Sequence, residues 1–83
     1  MIIEVLSPEG QIFKGEAIGV QLPGVGGLFE VLDKHAPLVS ALKAGKVKVL
    51  LNKTDTENYE IKGGFIEVFN NKTTILVEGA IQV

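Results

Sequence analysis

Hydrophobic and polar residues exchange places with a period of two along much of the chain. Ile18, Val20 and Leu22 alternate with Ala17, Gly19 and Gln21. Val47, Val49 and Leu51 alternate with Lys46, Lys48 and Leu50, and Ile75 and Val77 with Thr74, Leu76 and Glu78. Successive side chains of a strand point to opposite faces, so each run predicts a strand with one face on a core. In several runs the second face is also partly apolar, as at Ala17, Leu50 and Leu76. That pattern predicts burial on both sides or a face covered by a partner.

Turn-forming residues interrupt these runs at short, regular intervals. Ser7-Pro8-Glu9-Gly10 predicts a tight turn, because proline presets the φ that its second position needs. Residues 23–27, 33–37 and 52–58 read as loops, the last as a polar hairpin loop. Asn70-Asn71 accepts positive φ and predicts a tight hairpin between strands at 65–69 and 73–78. Gly63-Gly64 predicts a bulge or a close approach of two backbones. Residues 37–42 fit a strand or a helical turn. Many short strands separated by turns predict an all-β fold, a sandwich or flattened barrel, spanning residues 1–83 as one domain.

Composition supports this reading. Valine, isoleucine and threonine, whose branched side chains pack well on a pleated surface, fill 22 of the 83 positions. A chain of 8.9 kDa supports one thin core, burying roughly 60–65% of the surface its unfolded form exposes. Partners are therefore expected to add stability. No apolar run approaches the roughly 20 residues that cross a bilayer as a helix. The start, Met1-Ile2-Ile3-Glu4, has no basic leader pattern, so no secretory signal is expected.

Charge and residue types exclude several chemistries. The net charge is −2, and all eight basic residues are lysines. This argues against a nucleic-acid binder, which needs a basic surface and commonly uses arginine. The absence of cysteine excludes disulfides, thiolate metal sites and a cysteine nucleophile. The single histidine, His35, has no second histidine to share a metal with, and Asp33 and Glu30 stand at no metal-ligand spacing. It reads as a loop histidine in a packing or interface role.

The glycines at 23–27 are not followed by the Gly-Lys-Ser/Thr of a phosphate loop, and Phe29 stands where a dinucleotide fingerprint needs glycine. Asn52-Lys53-Thr54 and Asn71-Lys72-Thr73 match the glycosylation sequon but read as polar turns. The scattered carboxylates, Glu57, Glu60, Glu67 and Glu78, read as solvated faces. No catalytic, cofactor-binding or metal residue is expected.

One run carries a resemblance. Leu28-Phe29-Glu30-Val31-Leu32-Asp33-Lys34-His35-Ala36-Pro37-Leu38, continuing to Lys43-Ala44-Gly45, resembles the signature of the epsilon subunit of F-type ATP synthases. In that family it reads Gly-Glu-Phe-Gly-Val-Leu-Pro-Gly-His-Ala-Pro-Leu, with Lys-Pro-Gly further on. Ser7-Pro8-Glu9-Gly10 with Phe13-Lys14-Gly15-Glu16 resembles the family's N-terminal element. Gly63-Gly64-Phe65-Ile66-Glu67-Val68 and Thr74-Ile75-Leu76-Val77-Glu78-Gly79-Ala80 resemble two of its later strands, in the same order. Where the family often has a carboxylate, this chain has Leu28, and the family's Pro-Gly before the histidine is here Asp33-Lys34.

The resemblance implies a ten-stranded β-sandwich at the foot of a rotor, gripping the gamma subunit on one side and the polar loops of the c-ring on the other. Such a subunit carries torque in proton-coupled ATP synthesis without a catalytic residue of its own. The expected interface residues are Leu28, Glu30, Asp33, Lys34, His35, Ala36, Pro37 and Leu38, with Asp33-Lys34 pairing to charges on the ring. The expected location is the cytoplasmic face of the bacterial inner membrane, held there indirectly by the c-ring. Family members usually add a helical hairpin that can bind ATP or inhibit hydrolysis. Ending at Val83, this chain is expected to show neither behaviour.

Two other readings are distinct in kind. A lysine at a mid-chain tip of an all-β domain, here Lys34, resembles the attachment site of a lipoyl- or biotinyl-type carrier. A small-molecule site near residues 24–27 or Gly63-Gly64 would need a deep pocket with convergent polar groups. If the rotor reading holds, the neighbourhoods of Phe13, Phe29 and Leu38 are expected to look too apolar for a free monomer.

Overall fold

The computed structural model describes residues 1–83 and contains ten strands. They are β1 (Ile2–Ser7), β2 (Gly10–Glu16), β3 (Gly19–Gly24), β4 (Gly27–Leu32), β5 (Leu38–Leu42), β6 (Gly45–Leu50), β7 (Thr56–Ile61), β8 (Gly63–Phe69), β9 (Lys72–Glu78) and β10 (Ile81–Gln82). All ten join one hydrogen-bonded sheet in the order β10-β7-β6-β3-β5-β8-β9-β1-β2, with β4 on the other flank of β3. The path narrows to a single residue pair, Gly24 with Leu42, between β3 and β5. At this seam the sheet curls over, giving one layer of β4-β3-β6-β7-β10 and another of β5-β8-β9-β1-β2. Neighbours are antiparallel throughout, save β1 with β9, which run parallel.

The core lies between the layers and takes its residues from both. Ile3 and Val5 of β1, Val20 and Leu22 of β3, Val47 and Val49 of β6, Ile66 and Val68 of β8, and Ile75 and Val77 of β9 are all buried. The members of each pair stand two positions apart, with one residue between them, as the pleat requires. The alternation read at 47–51 and 74–78 is therefore observed. At residues 17–22 it is corrected. Val20 and Leu22 face inward, but Ile18 is 46% exposed and Ala17 is buried. The reason is a change of layer. The Ala17 amide donates to Met1 O at 2.9 Å, whereas the Ile18 amide donates to Leu50 O at 2.9 Å. The chain thus leaves the β1–β2 pair for the β3–β6 pair, and the phase of the alternation resets.

The turns follow the sequence with adjustments. Pro8-Glu9 links β1 to β2, with the Glu9 amide donating to Ser7 Oγ at 3.3 Å. Asn70 and Asn71 have φ of 49° and 58° and close the β8–β9 hairpin between Phe69 and Lys72. The loop expected over 23–27 shrinks to Val25-Gly26, because β3 and β4 stay paired out to Gly24 and Gly27. A Cβ on Gly24 would lie 2.7 Å from Gly27 O and from the Phe29 ring, so the pairing needs glycine there. The polar loop is also shorter than expected, since β7 begins at Thr56. Asn52 Oδ1 organises it by accepting from the amides of Thr54 at 2.9 Å and Asp55 at 2.8 Å. Residues 38–42 are a strand, antiparallel to β8.

Candidate functional site

The expected interface residues divide into two groups. Leu28 is the second residue of β4 and Asp33 follows the strand's end, so five strand steps, roughly 16 Å, separate them. Leu28 is 83% exposed beside the Val25-Gly26 turn. Glu30 is exposed on the same strand and accepts from Gln21 Nε2 at 3.4 Å. Together with Phe29, Lys46 and Lys48 they line a shallow, open depression of about 580 Å³. It is open to solvent and lined mostly by polar side chains, unlike the enclosed, largely apolar pockets that small molecules occupy. A smaller hollow of about 290 Å³ beside Gly64 is equally open.

The second group is the β4–β5 loop, where Asp33, Lys34, His35, Ala36 and Pro37 are all exposed. Leu38 is half-buried and packs on the core. The loop links strands of different layers, so Lys34 does not sit at the tip of a hairpin. The His35 amide donates to Leu32 O at 3.2 Å. His35 Nδ1 lies 2.7 Å from Ala36 O, a carbonyl to which a protonated Nδ1 donates.

The Asp33 carboxylate already has a partner within the chain. Oδ1 accepts from the Met1 ammonium at 2.8 Å. The same ammonium donates to Ala17 O at 3.1 Å and to Glu16 Oε2 at 3.4 Å. One residue on, the Lys34 amide donates to Asn71 Oδ1 at 2.7 Å, with Lys34 at φ 63°. The loop is thus fastened to the start of the chain and to the β8–β9 turn. The hydrogen bond from Met1, followed by that from Asn71, holds the Asp33 carboxyl below the usual range. Asp33 in turn pushes the Met1 amine above its ordinary value, against the opposing effect of burial, with further help from Glu16. Lys34 itself forms no ion pair, so its charge is available to a partner.

Phe13, Phe29 and Leu38 are themselves half-buried and pack on the core, but exposed apolar residues adjoin two of them, Leu28 beside Phe29 and Val39 beside Leu38. Val39 is joined across the sheet by residues that the sequence did not single out: Val39, Phe65 and Leu76 are 72%, 58% and 51% exposed. Phe65 is paired with Ala41 on one side and Leu76 on the other, and Val39 lies one pleat away, opposite Glu67. These residues make a continuous apolar band on the outer face of β5-β8-β9. The signal was present in the alternation, since Phe65 and Leu76 are the outward neighbours of Ile66 and Ile75.

Comparison with known proteins gives a consistent picture. The family described as ATP synthase, Delta/Epsilon chain, beta-sandwich domain matches residues 1–83. The ATP synthase epsilon chain of Chlorobaculum tepidum is 43% identical over 76 residues, covering 92% of this chain and 86% of its own length. That of Nitratiruptor sp. is 43% identical over 79 residues, covering 95% of this chain and 61% of its own. The fold recurs in a chain of the Euglena gracilis mitochondrial ATP synthase, with a TM-score of 0.91 and 24% identity, over 99% of this chain and 52% of that one. It recurs again in the Tetrahymena thermophila mitochondrial ATP synthase central stalk and c-ring, with a TM-score of 0.81 and 17% identity, over 98% of this chain and 65% of that one. Those two likenesses speak for the fold. The family match across the full chain and the identity to bacterial epsilon chains show that this chain belongs to the ATP synthase delta/epsilon family and forms its β-sandwich domain.

Proposed function

We propose that the chain is a non-catalytic central-stalk subunit of a rotary ATP synthase, which joins the gamma subunit to the c-ring and passes torque between them. The observation that carries this reading is the full-length match to the epsilon family together with an exposed apolar band, Val39, Phe65 and Leu76, on a chain of this size. Apolar surface of this kind marks a face that a protein partner covers. The β4–β5 loop offers a second contact of different character, with the free charge of Lys34 and the exposed imidazole of His35 suited to polar loops. Leu28 and Glu30, at the other end of β4, would meet a different part of the assembly. No helix is long and apolar enough to cross a membrane, and a peripheral place on the cytoplasmic face, held through the ring, follows from the proposed partners.

Co-purification with gamma is the test. Stable capture of gamma at micromolar concentration is expected, and failure to bind at that concentration would overturn the reading. ATP is expected to leave the melting temperature unchanged, because no nucleotide site is proposed, and a dose-dependent rise would contradict this.

A further inference from the structure

We propose that the N-terminal ammonium of Met1 and the carboxylate of Asp33 form a proton-controlled latch that fixes the β4–β5 loop, with Asp33 as its positioning residue. The geometry is specific. One ammonium meets three acceptors, Asp33 Oδ1 at 2.8 Å, Ala17 O at 3.1 Å and Glu16 Oε2 at 3.4 Å, while the Met1 side chain is sunk in the core. A loop is ordinarily the easiest part of a domain to open. This one is tied to a group that cannot move without withdrawing Met1 from apolar surroundings. Asn71 Oδ1 holds the next residue through the Lys34 amide at 2.7 Å, so both sides of the Asp33–Lys34 peptide are fixed.

The charged groups around the latch are few. Glu16 stands at the end of β2 and supplements Asp33. Lys34, adjacent in sequence, favours the Asp33 carboxylate as well. Lys72, next along β9, is directed to Glu4 at 3.8 Å. Loss of the ammonium proton at high pH, or protonation of Asp33 at low pH, releases the loop. Any group added to the Met1 amine releases it too, because an amide nitrogen cannot supply three donors. The N-terminal amine is therefore a modification point whose occupancy governs a loop far along the chain. The consequence for gamma or ring binding rests on the function proposed above, whereas the latch does not.

Amide exchange measured by NMR on the whole chain tests it. Asp33→Asn, and separately a Gly-Ser extension ahead of Met1, are expected to speed exchange at the Lys34 and His35 amides by at least about tenfold, with the core amides of Val49 and Ile75 unchanged. The Lys34 amide shift in the unaltered chain should titrate together with the Met1 amine, and Asp33→Glu should restore part of the protection. Unchanged exchange at Lys34 and His35 in both variants, or a Lys34 shift that ignores the amine, would overturn the latch. If Asp33→Asn does not fold, the extended chain carries the same comparison. Loosened exchange with unaltered gamma affinity would leave the latch standing and remove this loop from the gamma contact.

Discussion

Gly64 in β8 lies directly against the carbonyl oxygen of Leu76 in β9, so closely that a Cβ on Gly64 would overlap that oxygen. Its neighbour Gly63 has room, since a Cβ there would lie 3.6 Å from Leu42 O. The two adjacent glycines are therefore unequal. Gly64→Ala must push apart two strands at the centre of their layer, and it is expected to cost about 2–4 kcal/mol, a fall in Tm of roughly 10–25 °C. Gly63→Ala is expected to cost less than about 1 kcal/mol. Thermal unfolding of both proteins checks the contrast, and equal losses would contradict it.

Thr73 offers the opposite case. It is fully buried on β9 between Ile3 and Val68, and its Oγ1 has no hydrogen-bond partner. Burying an unpartnered hydroxyl costs about 1–3 kcal/mol, and valine has nearly the same shape without that penalty. Thr73→Val is expected to raise stability in denaturant titration by about 1 kcal/mol or more. A destabilised variant would show that the hydroxyl is satisfied in a way its geometry does not reveal.

The apolar band separates binding from folding. Val39→Ser and Phe65→Ser replace exposed side chains, so each is expected to change stability by less than about 0.5 kcal/mol. If the band meets gamma, the double variant should weaken gamma binding by about tenfold, which is about 1.4 kcal/mol. By contrast Ile75→Ala, at a fully buried position, is expected to cost about 2–5 kcal/mol of stability. Titration calorimetry alongside thermal unfolding distinguishes the two effects.

Stability should depend on pH in a defined way. Asp33 has a lowered pKa in the fold, so its contribution is present above the ordinary aspartate value, about 3.9, and is lost as pH falls through the depressed folded value. The Met1 amine has a raised pKa, so its contribution is present below about 8 and is lost as pH rises through the higher folded value. Tyr59 is pushed up by burial and, to a lesser extent, by Glu57, which adds a further loss at more alkaline pH, beyond about 10. Denaturant midpoints measured from pH 3 to 11 should show a plateau between the first two limits. Asp33→Asn should reduce the drop that follows deprotonation of the amine, and an unchanged alkaline limb would argue against the pairing.

The chain's own order of residues determined a good deal. Period-two alternation located the strands around Val47 and Ile75, because the pleat ties side-chain direction to sequence parity. Asn70-Asn71 announced its hairpin, because few residues tolerate positive φ. The family was legible in the run from Leu28 to Leu38. What the tertiary structure alone decided concerns partners distant in sequence. The phase break at Ala17–Ile18 arises where the chain changes layer, and no local pattern records that. The apolar band emerges only when β5, β8 and β9 are set side by side, which brings Val39, Phe65 and Leu76 onto one surface. Asp33 meets Met1 across 32 residues, so its charge looked free in the sequence. Local residue chemistry sets where strands and turns fall, but which charges and apolar side chains are left over for a partner depends on contacts that only folding creates.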